Sequence, residues 1–286
     1  MSASKAGFSG LDELDKSLLE IARTAARAAA EVHQACSANR DGLDWGTKGR
    51  SDFVTEVDME AESRIVDIVT NRFPGHSVLA EEGTGSSEGP AEDKDSITWI
   101  IDPLDGTTNW LHGYPEYAVS IAAADSAGLR VGVVLNSATG ECFEAVRGQG
   151  SRLDGTPIAV SETVELDLAL VGTGFPFKKL EVLDAYLETF RRVLVGTSGI
   201  RRTGAAALDL CAVAVGRLDG FFEYHLMPWD VAAGALIVRE AGGLFEALDV
   251  PGLDRAGEPT VAGLAAGGFL ACNGVLWNDF REMVVR

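Results

Sequence analysis

The chain has 286 residues, of which 24 are Lys or Arg and 43 are Asp or Glu, giving a formal charge of −19. Hydrophobic residues make up 46% and charged residues 23%, which excludes intrinsic disorder and permits one large domain or two smaller ones. The acidic balance argues against a nucleic-acid backbone as main partner, since basic clusters such as Arg201-Arg202, with Arg191-Arg192 a little upstream, are thin.

Leu11, Leu14, Leu18, Ile21, Ala25, Ala28 and Val32 recur at three- and four-residue steps and predict a long amphipathic helix from Leu11 to about Ser37. A glycine-rich loop with Gly42, Gly46, Gly49, Lys48 and Arg50 follows. A second helix is predicted over 55–71, with Met59, Ile65, Val66 and Val69 as its apolar stripe and Phe73-Pro74-Gly75 as its stop. Ser77–Ala80 reads as a short strand ending in Glu81-Glu82, and Gly83–Asp95 as a polar loop. Thr98–Ile101 reads as a strand running into Asp102-Pro103, where proline should turn the chain. Tyr117–Ala124, Val131–Asn136 and Glu141–Val146 read as antiparallel strands, and Asp154-Gly155 as a hairpin turn.

In the second half, strands are predicted at Leu168–Val171, Leu218–Tyr224 and Gly268–Ala271. Helices are predicted at 180–195, 204–215, 228–241 and 275–284, the third with Pro228 near its start, where a missing N–H costs nothing. Val250–Gly268 reads as a loop insert. Neither an internal repeat nor a heptad run is present, so the pattern predicts layered sheets and helices of mixed α+β, α/β type. The four cysteines, Cys36, Cys142, Cys211 and Cys272, form no C-x-x-C pair and read as reduced thiols. No stretch approaches the ~18 apolar residues of a membrane span. The N-terminus shows no signal-peptide pattern, so a cytoplasmic protein is expected.

The chemistry concentrates in Asp102-Pro103-Leu104-Asp105-Gly106-Thr107-Thr108-Asn109. Two carboxylates, a carbonyl at Leu104 and helix-starting N–H groups converge in one turn. That set suits a hard cation beside an anion, although an ordinary Pro-Asp-Gly-like turn would use the same residues. An EF-hand is excluded, because its third position would be Leu104 and its twelfth Gly113. Glu81, Asp58 and Asp230, each taken alone, are solvated or helix-start acids. The histidines, His33, His76, His112 and His225, show no metal-ligand spacing.

Taken together, these motifs resemble the inositol monophosphatase family of magnesium-dependent, lithium-sensitive phosphatases, and most of all its bacterial inositol-1-monophosphatases. Asp102–Asn109 matches the family's D-P-(I/L)-D-G-T-x-N motif, Trp229–Gly234 its W-D-x-A-A-G motif, and Leu79–Glu82 its (G/A)-E-E element. The resemblance spans about Leu11 to Arg286. It implies a five-layered αβαβα sandwich of the sugar-phosphatase type. The whole chain, 1–286, would be a single phosphatase domain, with an α+β lobe over about 1–160 and an α/β lobe over about 161–286. It implies two to three Mg²⁺ ions, with Glu81, Asp102 and the Leu104 carbonyl at the first and Asp102, Asp105 and Asp230 at the second. Glu81 would also touch a third. Thr107, paired with Asp58, would orient the attacking water. The Gly106 and Thr107 amides would hold the phosphate, and Glu223, with Asp105 and Ala206 nearby, would bind substrate hydroxyls.

The implied substrate is a small phosphorylated polyol, with inositol 1-phosphate first, and the implied assembly is a homodimer, with neither membrane nor nucleic acid as partner. Related readings are a fructose 1,6-bisphosphate or histidinol phosphate phosphatase, or a non-catalytic partner of the transcription machinery. For a second phosphate, Arg191, Arg192, Arg201 and Arg202 are the basic candidates.

Overall fold

A computed structural model describes residues 8–37, 45–49, 52–83, 96–250 and 260–286. Helix α1 (Glu13–Ser37) begins where the Asp12 carboxylate accepts the Asp15 N–H at 2.7 Å, which satisfies one of the unpaired donors of a helix start. Its buried stripe includes Leu18, Ala22, Ala25, Ala29 and His33. The expected glycine-rich loop contains two short strands, β1 (Trp45–Gly49) and β2 (Asp52–Thr55), paired as an antiparallel hairpin. Gly42 and Arg50 lie outside the described residues.

Helix α2 (Glu56–Arg72) corrects the predicted stripe. Met59 is 48% exposed, and the buried face is Val57, Asp58, Ala61, Glu62, Ile65 and Val69. Two acids one turn apart are thus turned inward.

A seven-stranded sheet follows, with β3 (Ser77–Ala80), β4 (Thr98–Asp105), then, after the short helix α3 (Thr107–Leu111), β5 (Ala118–Asp125), β6 (Gly128–Asn136), β7 (Cys142–Val146), β8 (Ser151–Leu153) and β9 (Thr156–Pro157). The strands lie in chain order; β3 and β4 are parallel and the rest antiparallel. The β8–β9 turn has Asp154 at φ 50° and Gly155 at φ 81°, the two left-handed residues that a tight two-residue hairpin requires. Most of the predicted Gly83–Asp95 loop falls outside the described residues.

The second sheet has β10 (Leu170–Thr173), then helix α4 (Leu183–Gly196), β11 (Gly199–Arg201), helix α5 (Ala206–Ala214), β12 (Gly220–Leu226), helix α6 (Pro228–Glu240) and β13 (Gly243–Leu248). A small hairpin of β14 (Thr260–Val261) and β15 (Leu264–Ala265), then β16 (Gly267–Asn273) and helix α7 (Trp277–Val285), complete the chain. The order is β11-β10-β12-β16-β13, with the first three parallel and β16 antiparallel to both its neighbours. Strands β11 and β13 were not expected, and the predicted 250–268 insert holds β14, β15 and the start of β16. Its residues 251–259 lie outside the described set.

These elements stack in five layers: α1 and α2, the seven-stranded sheet, α5 and α6, the five-stranded sheet, and α4 with α7. Three apolar clusters fill the interfaces. One lies beneath α1 and α2, one beneath α4 and α7, and the largest surrounds α5 and α6 and touches both sheets. Close approach depends on small residues. A methyl built at Gly132 of β6 would sit 3.0 Å from the Ala233 carbonyl oxygen of α6. The αβαβα arrangement implied by the resemblance is therefore the observed one.

Candidate active site

Strand β4 does not turn at Pro103. It bulges there, so that Asp102 pairs opposite Ser120 and Asp105 opposite Ala118 with a register shift between them. Proline supplies no N–H to the ladder, and the Asp102 carboxylate takes up the slack by accepting the Leu104 N–H at 2.9 Å. The bulge points Asp102, the Leu104 carbonyl and Asp105 toward one end of the sheet. Beside them, the Glu81 N–H continues the β3–β4 pairing by donating to the Ile101 carbonyl at 3.2 Å, which brings Glu81 next to Asp102.

Gly106 follows with φ 88°, and a methyl there would lie 2.8 Å from the Glu116 carbonyl oxygen. Glycine is therefore required on both conformational and steric grounds. Thr107 opens α3, its hydroxyl 3.0 Å from both Asp58 Oδ1 and the Leu104 carbonyl oxygen. It has one proton to donate, so a cation on the Leu104 carbonyl would commit it to Asp58. Asp58 is 2% exposed on α2, and one turn on Glu62 accepts the Glu82 N–H at 2.7 Å.

The middle layer supplies the other wall. Asp105 accepts the Ala207 N–H at 2.8 Å at the start of α5, where the helix dipole favours negative charge. Asp230 is the third residue of α6 and accepts the Met227 N–H at 2.7 Å. Pro228 heads that helix. Strand β12 leaves its pairing with β16 between Glu223 and Leu226, and His225 there has φ 63°. Glu223 reaches over the end of β10, where Gly174 leaves the space; a side chain at 174 would overlap the carboxylate.

Glu81, Asp102, Leu104, Asp105, Gly106, Thr107, Glu223 and Asp230 line one cleft of about 720 Å³. Electrostatically it is an acid trap. Burial, and then repulsion by Glu81, Asp105 and Asp230, raises the Asp102 carboxyl well above its ordinary value, and a side-chain hydrogen bond to Glu81 adds to this. Asp105 is pushed up to about 7 by burial and by Asp230, against the Ala207 and Ala206 amides. Glu223 is raised by burial and then by Asp209, with Arg202 opposing.

Among the described residues, no three acidic, histidine or cysteine side chains are already drawn into a closed metal cage. The donor set nevertheless fits Mg²⁺. It is all oxygen, Asp102, Asp105 and Asp230 are each anchored through one oxygen on a backbone N–H, and their repulsion is relieved by a hard divalent cation.

Glu81, Asp102, Leu104, Asp105, Gly106, Thr107, Ala206, Glu223 and Asp230, singled out from the sequence, thus line this cleft, with Asp58 beside it. Arg191 and Arg192 do not: they line a separate groove of about 490 Å³ between α4 and α7. The Arg192 guanidinium there donates to the Met283 and Val284 carbonyls at 2.8 and 3.1 Å. Arg201 is exposed, and of the four arginines Arg202 alone lines the cleft.

Sequence reasoning missed three supports. Glu62 was legible as an i, i+4 partner of Asp58. Asn109, which closes the β4 motif, donates to the Glu116 and Thr203 carbonyls at 2.7 and 2.9 Å. Asp209 accepts the Thr203 hydroxyl at 2.8 Å. The last two tie α3 to α5 across the cleft floor.

The profile of the Inositol monophosphatase family matches residues 14–272. Nus factor SuhB of Pseudomonas aeruginosa is 48% identical over 229 residues, 79% of this chain and 84% of that protein. Among solved structures, the extragenic suppressor protein suhB of Bartonella henselae superposes with TM-score 0.81 at 34% identity, covering 94% of this chain and 98% of that one. The inositol monophosphatase of Anabaena superposes with TM-score 0.74 at 33% identity, covering 94% and 95%.

Proposed function

The chain belongs to the inositol monophosphatase family, and from that premise we propose that it is a Mg²⁺-dependent phosphatase of small polyol phosphates, inositol 1-phosphate being the best-matching substrate. The observation that carries this reading is the convergence of Glu81, Asp102, Asp105 and Asp230 on one cleft, with the Thr107 hydroxyl 3.0 Å from the buried Asp58 carboxylate. Glu81, Asp102 and the Leu104 carbonyl would hold one ion, and Asp102, Asp105 and Asp230 a second, with Glu81 reaching a third. Bound Mg²⁺ would offset the charge of the phosphate oxygens and lower the pKa of the attacking water.

The chain's own groups do the positioning. Asp58 accepts from Thr107, leaving the threonine oxygen lone pairs to take a proton of water and aim it. The Gly106 and Thr107 amides, at the start of α3, offer donors to the phosphate. Glu223 meets the hydroxyls of the alcohol, with Ala206 leaving room for the ring. The catalytic unit is the whole chain, since one apolar cluster joins both sheets.

The test is phosphate release from inositol 1-phosphate, glycerol 2-phosphate, fructose 1,6-bisphosphate and histidinol phosphate, with and without a Mg²⁺ chelator. Absence of release at saturating Mg²⁺ would sink the reading. The name Nus factor SuhB, carried by a relative at 48% identity, favours a second role, as a binding partner of the transcription machinery. Retention of an Asp102→Asn variant on transcribing RNA polymerase would establish that role apart from catalysis, and no retention of either form would remove it.

A further inference from the structure

Helix α2 turns two acids inward, one turn apart. Asp58 accepts the Thr107 hydroxyl at 3.0 Å. Glu62 is 0% exposed, as are Ala61 and Ile65 on the same face. An acid in such dry surroundings is costly unless it holds a strong hydrogen bond. The bond it holds crosses to the end of β3: Glu62 Oε2 accepts the Glu82 N–H at 2.7 Å. The place of that amide matters. Strand β3 ends at Ala80, the Glu81 N–H still donates to the Ile101 carbonyl at 3.2 Å, and the chain turns at Gly83, with φ 80°. The two peptide planes that flank the Glu81 Cα are thus each anchored, one to β4 and the other to α2. Since a peptide plane is rigid, anchoring both fixes φ and ψ at Glu81, and with them the direction in which its side chain leaves the backbone. That direction leads to Asp102, which Glu81 meets in a side-chain hydrogen bond.

We propose that Glu62 is a positioning residue for the first metal site: by holding the Glu82 N–H it fixes the angle at which Glu81 presents its carboxylate to the ion shared with Asp102 and the Leu104 carbonyl. The proposal rests on the metal-ligand roles given under the phosphatase reading and adds to them a residue that touches neither metal nor substrate. Mg²⁺ demands near-ideal octahedral geometry with oxygens at about 2.0–2.1 Å, so a ligand carboxylate that swings out of line loses much of its bond. Asp102, Asp105 and Asp230 are steadied by an N–H on the carboxylate itself, whereas Glu62 steadies Glu81 through the backbone. One turn of α2 then sets both the threonine proposed to aim the water, through Asp58, and a proposed metal ligand, through Glu62.

Mn²⁺ is the probe, because its binding is read from the loss of the free-ion electron paramagnetic resonance signal, without turnover. Glu62→Ala is expected to weaken Mn²⁺ binding at one site by about ten- to a hundred-fold. The Mg²⁺ concentration for half-maximal phosphate release should rise in parallel, with kcat at saturating Mg²⁺ largely kept. Glu62→Gln retains an acceptor for the Glu82 N–H and should restore most of the affinity. Glu62→Asp, one methylene short, should fall between, and it carries the same comparison if Glu62→Ala does not fold. Ile65→Val loosens the same helix face without touching Glu82; it should lower the melting temperature and leave Mn²⁺ affinity as in wild type. The decisive comparison is made in a Glu81→Ala background, where Glu62→Ala should add no further loss of affinity, because it acts only through Glu81. An additive loss there overturns the proposal. So does wild-type affinity in Glu62→Ala or Glu62→Asp, or an affinity that follows melting temperature across the Glu62 and Ile65 variants. If wild type binds Mn²⁺ and releases no phosphate, the phosphatase reading alone fails, and the binding comparison still decides the role of Glu62. If wild type binds no Mn²⁺, the ligand roles fail and the positioning role falls with them.

Discussion

Asp102 sits at 1% exposure among three other acids, a position that costs stability until a cation arrives. Asp102→Asn removes the charge and the second ligating oxygen together. It is expected to lower phosphatase turnover by at least about a hundredfold and to raise the melting temperature of the metal-free protein by about 2–4 °C. Turnover near wild type at saturating Mg²⁺ would remove Asp102 from the site. Glu223 is expected to behave differently. Glu223→Ala should cost about ten- to a hundred-fold in kcat/KM for inositol 1-phosphate, by loss of hydrogen bonds to the ring hydroxyls. It should cost far less for an aryl phosphate, and equal losses on the two substrates would assign Glu223 to the metals or the fold instead. Asp102 stands out in the sequence because it opens a dense local motif, whereas Glu223 is singled out only by the family resemblance. Asp209 and Gly174 could not be placed so directly, because the Thr203 hydroxyl and the Glu223 carboxylate that they meet lie 6 and 49 residues away in the chain.

Elements were legible where their periodicity was local. Helix α1 and strands β5 to β7 fell within a few residues of expectation, since each carries its own apolar alternation or stripe. Strand β13 went unread, because Gly-Leu-Phe-Glu-Ala-Leu is compatible with a helix and becomes a strand by pairing with β16. Pro103 misled for a related reason: the rule that proline ends a strand holds for regular pairing, and β4 escapes it through a bulge. The contact of β6 with α6 gives a sharper test. Gly132→Ala would drive a methyl to 3.0 Å from the Ala233 carbonyl oxygen and 3.2 Å from its Cα, backbone that cannot rotate away. The expected cost is about 1–3 kcal/mol, read as a lower urea midpoint at unchanged slope. Because α6 also carries Asp230, the Mg²⁺ concentration for half-maximal activity should rise in the same variant. An unchanged midpoint would show that the layers are less closely fitted than the distances imply.

Across the whole molecule, the interface between the first two layers has a titration of its own. His33 of α1 is fully buried, 2.9 Å from the Ser137 hydroxyl, and burial lowers its pKa to about 4, with the Pro103 carbonyl opposing. At neutral pH the imidazole is uncharged in the folded chain and mostly so in the unfolded one, so its pH-dependent contribution there is small. As the pH falls below 6.5 the unfolded chain takes up a proton that the folded one refuses until about pH 4, so stability is lost across that window. The loss should approach about 3 kcal/mol. Urea midpoints at pH 7 and pH 5 should therefore differ less in His33→Gln than in wild type, and parallel declines would assign the effect elsewhere. Sequence periodicity alone suggested layered sheets and helices, and the number of layers came from the family resemblance. Which sheet each helix covers is fixed by contacts far apart in the chain, such as those of α6 with β5, β6 and β13.

The middle layer also bears on how the protein is made. Strands β4 to β9 pair with their immediate neighbours in the chain, so hairpins of the first sheet can form while synthesis continues, with α1 already present to cover one face. The other face waits for α5 and α6, and the second sheet waits longer, because β16, near the end of the chain, lies between β12 and β13. Asp230 arrives with α6, in the same stretch that dries the interior. A growing chain on the ribosome thus displays Glu81, Asp102 and Asp105 without their fourth acid. On the proposed ligand roles, the second ion then waits for the finished molecule, because Asp230 is one of its ligands, and a truncated product offers only the ligands of the first.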